Sequence, residues 1–370
     1  MVLFYVLLGF LSIRLGVVIW NALSDIRLSK TASLPSSEFI SILVPAKNEE
    51  KNISKLLHSI LEQDHENYEV IILDDQSNDD TYAIVHEFTQ MDARFKLIKG
   101  KDLPQGWMGK NFACHQLFQE AKGDFFLFLD ADVVIKPGLI SKALNRLKNE
   151  KLSLLSLFAD QEMIRLGEWV TVPLMNYFLL SFLPLSLIKK TKEVSVAAAN
   201  GQFMLFPASS YKENQWHYQV KNKVAEDYEI CKRIKAKNLV TETLLSDGFL
   251  KCRMYTGLEE GIKGFTKNTF ALFNYSLTGI IIFLGMISLL DIWIGIHYPP
   301  RLSIIILIPI LAIRIITSRI SLQTVWINLL LHPVQIVVMA YISIQSVTKN
   351  YMGTLSWKGR AIKPTMATDL

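Results

Sequence analysis

The sequence is poor in the residues that staple small folds. It has three cysteines, Cys114, Cys231 and Cys252, with no CxxC spacing. That argues against a disulfide framework or a structural zinc site and suits reduced thiols. Charge is also scarce, at 20% of residues against 50% hydrophobic. With a mean hydropathy of +0.26, this composition excludes a disordered chain and sits badly with a wholly soluble one. The basic excess is small, 39 against 34 or +5. No dense Lys/Arg stripe interleaved with aromatics is present, so no nucleic-acid partner is expected. A membrane surface or a phosphate-bearing substrate accounts for the excess. There is no HExxH, no GxSxG and no GxGxxG after the first apolar run, which removes the usual zinc-protease, hydrolase and dinucleotide-binding signatures. The seven histidines are scattered and read as ordinary surface or core residues.

Apolar sequence is abundant, and it lies at the two ends. Val2 to Trp20 is long enough to cross a bilayer and is interrupted only by Arg14, whose insertion costs about 2.5–3.5 kcal/mol. It reads as a retained anchor rather than a cleaved signal, with a partly inserted helix as the alternative. Arg27 and Lys30 follow it, which by the positive-inside rule puts the next domain in the cytosol. Three further apolar runs, 273–296, 302–317 and 322–344, each approach spanning length. Three spans after a cytosolic domain would leave the tail outside. Yet Lys349, Lys358, Arg360 and Lys363 favour a cytosolic tail, so one run is expected to be re-entrant or interfacial. Trp169 to Ile188 is a further apolar patch broken by Pro173 and Pro184; it reads as an interfacial segment or a buried helix pair. The expected organisation is an anchor over 1–24, a catalytic domain over 38–270 with the possible interfacial segment 169–188, transmembrane helices over 271–346, and a basic tail over 347–370.

The middle of the chain alternates strand and helix signals. Phe39–Pro45, Val70–Leu73, Phe95–Ile98 and Phe125–Leu129 read as buried strands; Glu49–Gln63, Thr81–Met91 and Asn111–Ala121 read as helices. That order predicts an α/β domain with a mostly parallel, Rossmann-like sheet, whose ligands bind at the carboxyl ends of the strands. Polar residues collect at three such ends: Lys47-Asn48-Glu49, Asp74-Asp75 and Asp130-Ala131-Asp132. In an extended segment Asp130 and Asp132 point to the same side, and two hard oxygens suit Mg2+ or Mn2+ completed by substrate phosphates. A polar turn is the plainer explanation. Asp74-Asp75 either leads into a helix cap or holds a nucleotide. Gly106-Trp-Met-Gly-Lys110-Asn111 is not a Walker A motif, but a lysine at a helix start attracts a diphosphate. Glu226-Asp227 is either an acidic helix start or contains a general base.

Together, PAKNEE (45–50), LDDQSND (73–79), DAD (130–132) and the later Glu226-Asp227 resemble the ordered motifs of family 2 inverting glycosyltransferases. QGWMGKNFAC (105–114), FLKCRMYTGLEEGIKGFTKN (249–268) and WKGR (357–360) look like the membrane branch that contains the diaponeurosporenoate (carotenoid) and hopanoid-associated glycosyltransferases. The resemblance implies a GT-A fold flanked by transmembrane helices, a nucleotide-sugar donor, in particular a UDP-sugar, and a lipid acceptor. It implies that Pro45, Glu49 and the Asp74-Asp75 pair hold the nucleoside, and that Lys110 lies near the base or phosphates. Asp130 would contact ribose or metal, Asp132 would bind Mg2+ or Mn2+, and Asp227, beside Glu226, would be the base. Processive members carry QxxRW. Here Arg253-Met254-Tyr255 stands in its place, which implies transfer of a single sugar. Lys358 and Arg360 either reach the diphosphate or form a positive-inside tail. Two rivals remain, a polyprenyl-phosphate sugar synthase and a non-catalytic nucleotide-sugar-binding membrane protein.

Overall fold

Runs of β-branched and aromatic residues bounded by polar ones form the strands, because such side chains pack well on a pleated surface buried on both sides. In chain order the strands are β1 (Ile40–Ala46), β2 (Tyr68–Asp74), β3 (Phe95–Lys99), β4 (Phe125–Leu129), β5 (Val133–Ile135), β6 (Leu154–Phe158), β7 (Asp160–Gln161), β8 (Phe203–Pro207), β9 (Thr241–Leu245) and β10 (Leu250–Cys252). This computed structural model describes residues 1–32, 37–289, 297 and 299–362. The chain forms two units: Asp25–Asp160 with Leu185–Arg253, and Met1–Ser24 with Gln161–Pro184 and Met254–Leu370.

The first is an α/β unit around a seven-stranded sheet of order β3-β2-β1-β4-β8-β6-β9. β1 pairs in parallel with β2 and β4, as do β2 with β3 and β6 with β9, while β8 runs antiparallel between β4 and β6. Ile40, Ile42, Leu43 and Val44 of β1 are fully buried, as expected for a strand covered on both faces. The helix Ile53–Leu61 covers it with Ile53, Leu56, Leu57 and Ile60. This helix starts later than the hydrophobic periodicity predicts. Asn48 takes a left-handed backbone (φ 53°), and residues 48–50 are stitched to the next loop instead. The Asn48 and Glu50 N–H groups donate to Ser77 Oγ (2.9 Å) and Asp79 Oδ2 (3.2 Å), and the Asn78 N–H donates to Asn48 Oδ1 (2.9 Å). The polar ends of β1 and β2 thereby become one rigid rim.

The second unit is helical. Val2–Leu23, Pro300–Ile320 and Val325–Tyr351 are each long and apolar enough to cross a membrane. The middle C-terminal run, the shortest of the three in the sequence, is therefore a clear candidate span. The run 273–296 behaves otherwise. Leu258–Leu272 and Leu277–Ile287 meet at a 116° bend, the geometry of a broken span or re-entrant loop, and residues 290–296 lie outside the described residues. The apolar patch 169–188 contributes the short helices Leu166–Thr171 and Pro173–Phe182, with Pro173 at the first helical position of the second, where its missing N–H costs nothing. Leu174 is buried with Ile287, Met339 and Ile342, and Phe10, Phe178 and Phe283 pack around them. Ser356–Trp357 and Arg360–Ala361 close a small hairpin through Lys358 and Gly359, both at positive φ, as a two-residue turn of this hand requires.

Candidate active site

The site is built at the carboxyl ends of β1, β2 and β4 in the α/β unit. Asp74 ends β2 and is buried with Asp75. The Asp75 N–H donates to Ala46 O (2.8 Å) and Lys47 Nζ donates to Asp75 O (2.8 Å), so the β1 rim holds the Asp75 backbone. Pro45 lies within β1. Glu49 follows it, its N–H donating to Thr81 Oγ1 (2.7 Å) and its carboxylate accepting from Asn52 Nδ2 (3.0 Å). Asp79 accepts from the N–H and hydroxyl of Thr81, the first residue of the helix Thr81–Met91, whose N-cap position is Asp80.

Asp130 and Asp132 follow β4. Between them and the acidic pair stands Lys110, the second residue of the helix Gly109–Glu120. Its Nζ lies 2.6 Å from Asp130 Oδ1 and 2.8 Å from Glu226 Oε1. Burial alone would lower the ammonium's pKa, but the two carboxylates outweigh it and hold Lys110 well above its ordinary value. Two features permit this. Asn111 Nδ2 donates to the carbonyls of Val220 (2.8 Å), Lys221 (3.3 Å) and Lys223 (3.0 Å), and the Met108 N–H donates to Lys221 O (2.7 Å). The segment leading into Glu226 is thus docked on the start of the Lys110 helix. Gly201 supplies the space: a Cβ there would lie 2.7 Å from Lys110 Nζ and 3.1 Å from Glu226 Oε1.

Glu226 and Asp227 open the helix Glu226–Ala236. Glu226 is buried and Asp227 half-buried. Asp227 is aimed by two backbone donors, Gly201 N–H on Oδ2 (2.9 Å) and Tyr228 N–H on Oδ1 (2.7 Å). Burial, and then the Glu226 charge, raise its pKa to about 6 against the opposing pull of Lys110 and the two N–H groups. A carboxylate poised there suits proton transfer near neutrality.

Cys252 had no signal in the sequence. β10 pairs with β5 so that Cys252 faces Val133, next to Asp132. Its thiol is bonded to Asp132 and held well above the ordinary cysteine value by burial and by the charges of Asp132, Asp130 and Glu49. Gln202 Nε2 donates to its Sγ (2.9 Å), and Asn200 is pinned by Ser156 Oγ and by Gln202. Asn200-Gly201-Gln202 is therefore more than the turn that an NG dipeptide suggests. Arg253 directly follows β10. Lys358 and Arg360 belong to the helical unit. Among the described residues no group of three or more His, Cys, Asp or Glu side chains forms a metal site. Asp130 and Asp132 still fit a hard divalent cation that takes its remaining oxygens from a diphosphate and water.

Residues 41–214, which span β1 to β8 and both strand-end carboxylate sets, match the family model for Glycosyl transferase family 2. The chain carries a family 2 glycosyltransferase domain. The glycosyltransferase is 26% identical over 261 residues to 4,4'-diaponeurosporenoate glycosyltransferase of Staphylococcus haemolyticus, covering 70% of this chain and 68% of that protein. It is 31% identical over 107 residues to a GalNAc(5)-diNAcBac-PP-undecaprenol beta-1,3-glucosyltransferase of Campylobacter jejuni, covering 29% and 34%. Among solved structures, a mannosyltransferase of Pyrobaculum calidifontis in complex with GDP-Man and Mn2+ superposes with a TM-score of 0.55 at 15% identity, covering 97% of this chain and all of that one. At that identity the likeness speaks for the GT-A fold alone.

Proposed function

We propose that this glycosyltransferase moves one sugar from a nucleotide-sugar, a UDP-sugar in the first instance, onto a hydroxyl of a lipid acceptor at the cytosolic membrane face, with inversion. The observation that carries the reading is the Lys110 ammonium shared by Asp130 and Glu226. It joins the strand-end carboxylates to the Glu226-Asp227 pair in a single cluster. Asp74, Asp75, Glu49 and Pro45 line the rim for the nucleoside. Asp227 takes the proton as the acceptor oxygen bonds to the anomeric carbon and the bond from that carbon to the diphosphate breaks. Lys110 lies where negative charge develops on the leaving diphosphate. Asp130 and Asp132 would hold Mg2+ or Mn2+, which when bound adds positive charge on the same phosphates. Arg253 is assigned to the donor side by its place beside Cys252, and Lys358 and Arg360 to the diphosphate or the membrane surface.

A lipid acceptor is supported by the candidate spans of the helical unit and by the acceptors in the names of the two relatives. The test incubates membranes containing the protein with labelled nucleotide-sugars and Mn2+, then extracts lipids into organic solvent. Label in the organic phase, lost with Asp132→Asn, is the expected result. Label confined to water would overturn the lipid acceptor. UDP binding with no transfer would overturn the enzyme reading.

A further inference from the structure

The helical unit buries two arginines that, among the described residues, pair with no carboxylate. Arg14, on Val2–Leu23, is 3% exposed and Arg314, on Pro300–Ile320, is 1% exposed. Both converge on one ring: their Cζ atoms lie 5.0 Å and 4.8 Å from the centroid of Tyr177, and the His332 ring lies 5.3 Å from it. Their hydrogen bonds go only to neutral groups. Arg14 Nη2 donates to Ser181 Oγ (2.8 Å), and Arg314 donates to Asn328 O (3.3 Å), Asn328 Oδ1 (3.1 Å) and Gln335 Oε1. Among the described residues neither guanidinium pairs with a carboxylate. Arg14 Nε, Gln323 Nε2 and His332 Nδ1 are buried with no hydrogen-bond partner, and Gln323 joins the cluster through Asn328 Nδ2 (3.0 Å).

Guanidinium groups are donors only, so this cluster has more N–H groups than acceptors and two like charges away from water. Aromatic faces and amide oxygens offset part of that cost; an opposite charge offsets it fully. We propose that Arg14, Arg314 and His332 form a binding site for the anionic head group, a carboxylate or a phosphate, of a lipid. The lipid source follows from the surroundings. Phe10 and Phe182 flank Arg14, at 5.5 Å and 4.6 Å from ring centroid to Cζ, and the helices that carry both arginines are apolar enough to span a bilayer. Both a lipid head group and a free anion must shed water to reach this depth, but only the amphiphile offsets that cost by keeping its chain in the hydrocarbon.

The test needs no sugar transfer, so its failure leaves the proposed glycosyl transfer standing. Full-length protein in neutral detergent is titrated with tritiated palmitate, hexadecyl phosphate and hexadecanol. At least one anionic amphiphile is expected to bind about tenfold or more tighter than hexadecanol, with inorganic phosphate failing to displace it at millimolar concentration. Arg14→Gln should lower the affinity for that anion about tenfold and leave hexadecanol binding unchanged. Equal binding of all three amphiphiles by the unaltered protein would overturn the proposal without any variant having to fold. Displacement by inorganic phosphate would overturn the lipid source, and an Arg14→Gln variant that binds the anion as the parent does would make Arg14 structural.

Discussion

At Lys110 two carboxylates share one ammonium, and the balance among them sets what Asp227 can do. Asp227 must be ionised to accept a proton. With its pKa raised to about 6 by burial and by Glu226, turnover should fall as pH drops through about that value. The ammonium of Lys110 is the nearby charge that pulls Asp227 down. Replacing it in Lys110→Met should therefore move the acidic limb of kcat/KM to higher pH, by about one unit; a limb that stays in place or moves lower would contradict the coupling. Because the Glu226 charge is one of the causes of the raised Asp227 pKa, the limb depends on both carboxylates. Asp227→Asn should cost about two to four orders of magnitude in kcat while UDP binding changes little, which steady-state kinetics and calorimetry would separate.

The 109–120 helix and the segment before Glu226 act together because Asn111 spans the gap. Asn111 is buried and its amide donates to three carbonyls, so Asn111→Ala should destabilise the α/β unit by about 1–3 kcal/mol and lower kcat as Lys110 loses its register. Urea unfolding and kinetics on the same preparation would check both effects. Another element-scale constraint lies at the entry to β4. A Cβ on Gly123 would stand 2.5 Å from Ser41 N and 2.8 Å from Phe39 O. Those are backbone atoms that cannot swing aside, so Gly123→Ala should cost about 1–3 kcal/mol with the carboxylate cluster untouched. The hydrophobic pattern places the Thr81–Met91 helix at its observed bounds, because 3.6-residue periodicity is local. It misjudges where the Ile53–Leu61 helix begins, since the stitching of residues 48–50 to 77–79 is a contact between loops thirty residues apart.

At the scale of the whole molecule, the number of spans decides the sides. If the three helices that qualify by length and composition all cross, one before the catalytic domain and two after it, the tail returns to the side the domain occupies. The conflict between a basic tail and three trailing spans then does not arise. The expectation is that tags placed at residue 30 and at the C-terminus are protected or digested together in sealed vesicles. Opposite accessibility would instead make the bent pair Leu258–Leu272 and Leu277–Ile287 a full fourth span.

Periodicity, strand-end acids and apolar run length are properties of neighbouring residues, and they alone determined the α/β class, the parallel β1–β4 core, the acidic rim and the presence of apolar terminal helices. Ordered motifs extended this to the family. What only the tertiary structure decided are the relations between distant residues. Lys110 meets Asp130 and Glu226, Gly201 leaves room for them, Cys252 lies against Asp132, and Arg14 and Arg314 face one tyrosine across more than a hundred residues of chain. The physical reason is that a lone lysine, glycine, cysteine or arginine has no periodic signature. Its role is set by the charges and surfaces that packing brings to it.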